Sequence, residues 1–133
     1  MPSSHPLPKN LDRLKALIGT PSVSSIDSDY DMGNLPVIEL LANWLDPLGF
    51  KTTIQPVSKG KANLIARIGE GQGGLVLSGH TDTVPYNADR WQSDPFSLTE
   101  RENKFFGLGA CDMKGFFSLA IEASLRFSGP KIK

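Results

Sequence analysis

Gly74-Leu75-Val76-Leu77-Ser78-Gly79-His80-Thr81-Asp82-Thr83-Val84-Pro85 is the stretch on which a reading of this chain turns. Leu75 to Ser78 form a short apolar run after glycines, the pattern of a buried strand covered on both faces. The polar cluster begins where that strand should stop, and Pro85 has no N–H to give to a continuing ladder. In extended backbone, side chains at i and i+2 leave on the same face, so His80 and Asp82 can act together. In open α/β sheets the ligand crevice lies beyond the carboxyl ends of the strands, which is where this His-x-Asp would stand. Two readings remain open on the motif alone. His80 could bind a metal through one ring nitrogen while Asp82 accepts a hydrogen bond from the other, fixing the tautomer and raising the ligand's basicity. Alternatively, the cluster is a polar strand-end turn with a surface histidine.

Working outward on the N-terminal side, Leu11, Leu14, Leu17 and Ile18 fall at helical spacing, with Asn10 as N-cap and Gly19 at the stop. Residues 27–34 are acidic and small, and read as an exposed loop. A second helix from Pro36 carries the apolar stripe Val37, Leu40, Leu41, Trp44, Leu45, Leu48; Pro47 should end or tighten it near Leu45, and Gly49 suits the C′ position. Phe50–Val57 and Asn63–Ile68 have strand character. The glycine-rich link 69–74 is too short for a crossover helix, so Asn63–Ile68 is expected to pair antiparallel with Leu75–Ser78, giving a mixed sheet. On the C-terminal side, Phe96–Thr99 and Lys104–Phe106 flank Glu100-Arg101-Glu102-Asn103 as a hairpin. Lys114–Phe127, apolar on most sides and closed by Gly129-Pro130, predicts a helix buried against a sheet.

The chain has 133 residues, enough for one domain or part of one. Its 14 basic and 14 acidic residues cancel without charge blocks, which argues against nucleic-acid and anionic-membrane partners and for a small molecule or a protein. The single cysteine, Cys111, excludes an intrachain disulfide and fits a reducing, cytoplasmic setting. No stretch has the length of a signal peptide core or a membrane span. Met1–Lys9, with His5, reads as a loose leader, and the end at Lys131-Ile132-Lys133 is abrupt.

A second motif, Gly107-Leu108-Gly109-Ala110-Cys111-Asp112-Met113-Lys114-Gly115, lies between the hairpin and the last helix. Its glycines let backbone approach a ligand closely. Asp112 alone could equally be a helix N-cap. Cys111 reads as a small buried thiol and Lys114 as an exposed first-turn residue. Taken together, the two motifs, with Arg90-Trp91 and Asp94-Pro95-Phe96 between them, resemble the family of zinc-dependent deacylases and exopeptidases that includes acetylornithine deacetylase, succinyl-diaminopimelate desuccinylase and aminoacylase. The likeness covers nearly the whole chain. Thr83, Leu108 and Phe116-Phe117 bring it nearest the first of these members, with the second as the alternative.

The resemblance implies an α/β fold with a mixed, mostly parallel sheet flanked by helices, of the zinc exopeptidase type, this chain being the N-terminal portion of its catalytic domain. It implies that His80 ligates one zinc, that Asp112 bridges two, that Asp82 orients His80 as the catalytic carboxylate, and that the Asp112-Met113 peptide is cis. Two zinc ions per complete site are implied, with cobalt as a substitute. So are an N-acyl amino acid substrate, N-acetyl-L-ornithine in arginine biosynthesis, and a homodimeric parent. The chain departs from the family in ending before its Glu-Glu pair, its later metal ligands and its dimerisation domain. Two residues cannot fill a two-metal site. The sequence is therefore expected to be incomplete and inactive alone, and a non-catalytic remnant or interaction module is the alternative of a different class.

Overall fold

The computed structural model describes residues 7–127. Among these residues two helices, α1 (Asn10–Ile18) and α2 (Leu35–Leu45), precede four strands, β1 (Lys51–Ser58), β2 (Lys61–Arg67), β3 (Thr99–Arg101) and β4 (Lys104–Phe106), and a third helix, α3 (Gly115–Phe127), follows them. Most of His5's leader, the closing Gly129-Pro130 and Lys131–Lys133 lie outside the described residues. Leu7 packs against the core, and the Pro8 carbonyl accepts a 2.7 Å hydrogen bond from Arg13.

The helices follow from their apolar spacing. Leu17 of α1, Val37, Leu41 and Trp44 of α2, and Ile121 of α3 form one buried cluster, with Leu64 of β2 against it. Residues at i, i+4 and i+7 share a helix face, so each helix contributes one stripe to the cluster. Pro36 occupies the first turn of α2, where its missing N–H costs nothing. Pro47 acts as expected at the other end: α2 stops at Leu45, tightens into a 3₁₀ turn over Asp46–Leu48, and Gly49 takes the left-handed conformation at φ 88°. Asn10 is not the N-cap of α1; Lys9 holds that position without a side-chain bond, and Asn10 instead accepts from the Ser118 hydroxyl of α3.

Strand pairing differs from the expectation. β2 pairs antiparallel with β1, from Lys51 opposite Arg67 to Ser58 opposite Lys61, and not with Leu75–Ser78. The two-residue connection at Lys59-Gly60 closes this hairpin locally, at far lower loop-closure cost than reaching past the glycine link. No strand pairs with Leu75–Ser78 among the described residues, and Leu75, Val76 and Leu77 are 83%, 86% and 54% exposed. The apolar run reports a segment suited to burial, but periodicity cannot supply its partner. Both ladders present are antiparallel, and the one parallel contact joins Val23 to Thr83. The α/β class stands; the mostly parallel sheet is not formed by the described residues. The second hairpin is shorter than expected: β3 and β4 meet through Glu102 and Asn103, both at positive φ as in a type I′ turn, and Phe96–Leu98 lies outside the ladder.

α3 packs on α1 and not on a sheet. Ile121 enters the core, while Arg13, itself buried, bonds Glu122 at 2.6 Å. The outer face of α3 leaves Leu119 and Phe127 exposed. Among the described residues no helix is long and apolar enough to cross a membrane.

The β1–β2 turn is docked on the start of α2. The Gly60 carbonyl accepts from the backbone N–H groups of Asn34 and Leu35, at 3.0 and 3.1 Å. Gly33 permits this approach: its φ is 71°, and a Cβ there would lie 2.4 Å from the Gly60 oxygen.

Candidate metal centre

His80, Asp82 and Asp112 converge. After the unpaired run, the chain is held from Thr81 to Thr83 by the segment that follows α1. Thr83 donates its N–H to the Ser22 carbonyl at 3.0 Å, and Ser24 donates to the Thr83 carbonyl at 2.8 Å. Thr81 points inward and is buried, as is Thr83. The alternation of an extended backbone then turns His80 and Asp82 outward together, as the i, i+2 spacing predicts.

The Nδ1 edge of His80 faces Asp82 twice, 3.1 Å from its carbonyl and 3.4 Å from Oδ1. Two acceptors on that side make Nδ1 the N–H donor, which leaves the Nε2 lone pair free in the neutral ring. Nε2 lies 3.0 Å from Asp112 Oδ1, 32 residues further along the chain. Desolvation lowers the pKa of the imidazole, but the Asp82 carbonyl and then the Asp112 carboxylate outweigh it, and His80 sits above the ordinary histidine range. A proton between Nε2 and Oδ1 thus does what a divalent cation could do: it joins a nitrogen donor to a carboxylate. The His80 and Asp82 side chains are about half exposed and Asp112 more so, and the site is open to solvent.

Asp112 is not an N-cap. It stands inside an irregular turn over Ala110–Lys114, with φ −125° and ψ 93°, and its bond to Met113 is cis, as the resemblance implies. Glycines let the two motifs touch. A Cβ at Gly109, whose φ is 82°, would lie 2.6 Å from the Thr83 methyl, and one at Gly79 would lie 2.9 Å from the Met113 methyl. Cys111 is exposed, not buried, because its side chain lies on the open side of this turn. Lys114 reverses its expected place more completely. It is 1% exposed, and its ammonium donates to the carbonyls of Leu17 at 3.0 Å and Thr20 at 2.7 Å. The Leu17 carbonyl, which also accepts from the Thr20 N–H at 3.4 Å, lies at the end of α1, where a cation meets the negative end of the helix dipole. Burial lowers this ammonium to about 8.

Three supporting residues escape a sequence reading. The Ser22 hydroxyl donates to the Thr81 carbonyl at 2.6 Å, and Ser22 has no exposed surface. The Asn34 amide donates to Thr81 Oγ1 at 2.8 Å and to the Ala62 carbonyl at 3.0 Å, while its oxygen accepts from the Ala62 N–H. Asn34 sits at the end of a loop whose composition says only that it is polar. Nothing in local spacing ties Ser22 or Asn34 to Thr81, 59 and 47 residues away, or Lys114 to Leu17, 97 residues away.

The donors fit zinc in kind, one imidazole nitrogen with its second nitrogen held by a carboxylate, and one carboxylate oxygen. They do not fill a metal's coordination alone: among the described residues no group of three or more His, Cys, Asp or Glu side chains is placed to hold one ion.

Residues 76–132 match the model of Peptidase family M20/M25/M40. Acetylornithine deacetylase of Pasteurella multocida is 56% identical over 119 residues, 88% of this chain and 31% of that protein. Over residues 76–132 the chain is similar to peptidase family M20/M25/M40. Acetylornithine deacetylase of Proteus mirabilis is 54% identical over the same share of both chains. The chain spans about a third of the length of these curated relatives. The fold agrees: the crystal structure of human carnosine dipeptidase 1 superposes with a TM-score of 0.65 over 85% of this chain and 28% of that one, at 23% identity.

Proposed function

We propose that this chain carries part of the metal centre of a zinc-dependent amide hydrolase, the N-terminal part of its catalytic domain, with His80 and Asp112 as metal ligands. The observation that carries the reading is the 3.0 Å approach of His80 Nε2 to Asp112 Oδ1 while Nδ1 is engaged by Asp82. Asp82 holds the tautomer that presents Nε2 and stabilises positive charge on the ring. Asp112, open on its outer side, has a second oxygen available for a second ion, as a bridging carboxylate requires. Zinc bound there, or cobalt in its place, would supply Lewis-acid polarisation of an amide carbonyl and a lowered pKa for the attacking water. The substrate is an N-acyl amino acid. The name shared by the relatives at 53% to 56% identity favours N-acetyl-L-ornithine over N-succinyl-diaminopimelate. A homodimeric whole protein in the cytoplasm completes the proposal.

Two donors give weak metal binding and no assigned general base, and such bases contribute about 10² to 10⁴-fold. The 133-residue chain is therefore expected to bind Co²⁺ weakly, with a spectrum that disappears in His80→Ala, and to hydrolyse N-acetyl-L-ornithine no faster than the free metal. Binding that is unchanged in both His80→Ala and Asp112→Ala would defeat the ligand assignment. His80-dependent turnover would defeat the expectation of inactivity.

A further inference from the structure

The two motifs touch a common third segment. Lys114, two residues after Asp112, places its ammonium on the carbonyls of Leu17 and Thr20. Two residues after Thr20, the Ser22 hydroxyl donates to the carbonyl of Thr81, the residue between His80 and Asp82. The backbone bonds between Thr83 and both Ser22 and Ser24 continue the grip. Pro21 lies between the two anchor points, and its ring fixes φ there. Lys114 and Ser22 are both essentially without solvent exposure, so neither bond competes with water. Lys114 has no carboxylate in contact, and its partners are all carbonyls of this segment. A buried ammonium spent on two carbonyls is an expensive means of stabilising a helix end, because its desolvation opposes burial. It is well suited to fixing where the chain bearing Asp112 must lie.

We infer that Leu17–Ser24 is a bracket, and that Lys114 and Ser22 are positioning residues which set the distance between His80 and Asp112. The inference rests on the metal-ligand reading for its purpose, but its geometry can be tested without a metal. The full 133-residue chain carries Ser22→Ala, Lys114→Met or Ser118→Ala. Ser118 is the control: its buried hydroxyl also donates to a backbone carbonyl, that of Asn10 at 2.8 Å, but its bonds join α3 to α1 and go to neither motif.

Two quantities are read: Co²⁺ affinity, and the ¹⁵N resonance of the His80 ring at one fixed pH without metal. Asp112→Asn supplies the resonance of a ring deprived of its carboxylate. Ser22→Ala and Lys114→Met are each expected to weaken Co²⁺ binding roughly 10-fold or more, as loss of outer supports does in metal sites, and to move the His80 resonance toward the Asp112→Asn value. Ser118→Ala is expected to lower the melting temperature and leave both quantities as in the parent chain. The inference is overturned if Ser22→Ala leaves the resonance in place, or if Ser118→Ala shifts it as far. Should Lys114→Met fail to fold, Ser22→Ala decides alone. If Co²⁺ binding in the parent chain does not depend on His80, the metal reading fails, and the metal-free resonance still judges the bracket.

Discussion

At the scale of single residues, Asp82 shows how little contact a supporting carboxylate needs. It touches neither the proposed metal position nor Asp112, yet its carbonyl and Oδ1 both lie against His80 Nδ1. Removing the side chain keeps the backbone acceptor and loses the charge. Asp82→Ala is therefore expected to weaken Co²⁺ binding about 10 to 100-fold without abolishing it, whereas His80→Ala abolishes it; a spectroscopic titration of both separates the two roles. A loss as complete in Asp82→Ala would make Asp82 a ligand itself. His80, Asp82 and Asp112 are legible in the sequence because they are polar residues at the boundaries of apolar runs. Lys114 is not, since a lysine in the first turn of an amphipathic helix is ordinarily solvated, and only tertiary structure reveals the carbonyls of Leu17 and Thr20 waiting for it.

At the scale of elements, two contacts fix how the pieces meet. Gly33 lets the Gly60 turn sit on the start of α2, and alanine there would suffer both a positive φ and a backbone clash. Gly33→Ala is expected to cost about 1 to 3 kcal/mol in a denaturant melt, whereas Gly49→Ala, which meets no atom within 4 Å, bears only the backbone cost. The second contact is Arg13 with Glu122, which ties α1 to α3. The Arg13 hydrogen bond is the main cause that holds the Glu122 carboxyl below the ordinary carboxylate range. A depressed folded-state pKa means stability that is present above the unfolded value and lost as pH falls through the folded one. The melting temperature should thus decline between about pH 5 and about pH 2, and less steeply in Glu122→Gln. Equal slopes would show that the pair does not carry the acid response. α1, α2 and β1 are legible because their spacing is a local pattern that shows whatever they pack against, and α1 packs on α3, more than a hundred residues away. The pairing of β2 is not, since two glycine-bearing links flank it and either could close a hairpin on strand pattern alone.

At the scale of the molecule, the segment that best reads as a central strand is the one left open. Leu75, Val76 and Leu77 present apolar side chains and unpaired backbone together, and an open apolar groove of about 630 Å³ runs between α1 and α3 past Phe105. Unpaired edges and contiguous apolar surface both promote association. The chain is expected to sediment as self-associated species, and Val76→Lys to shift it toward monomer; a monomeric parent chain with cooperative melting would refute this. The bracket adds a consequence in time. Leu17 to Ser24 leaves the ribosome before either motif, and at about 5 to 20 residues per second His80 and Asp112 follow only some seconds later. The receiver of each motif is made first, so neither has to wait unanchored for a part of the chain not yet translated.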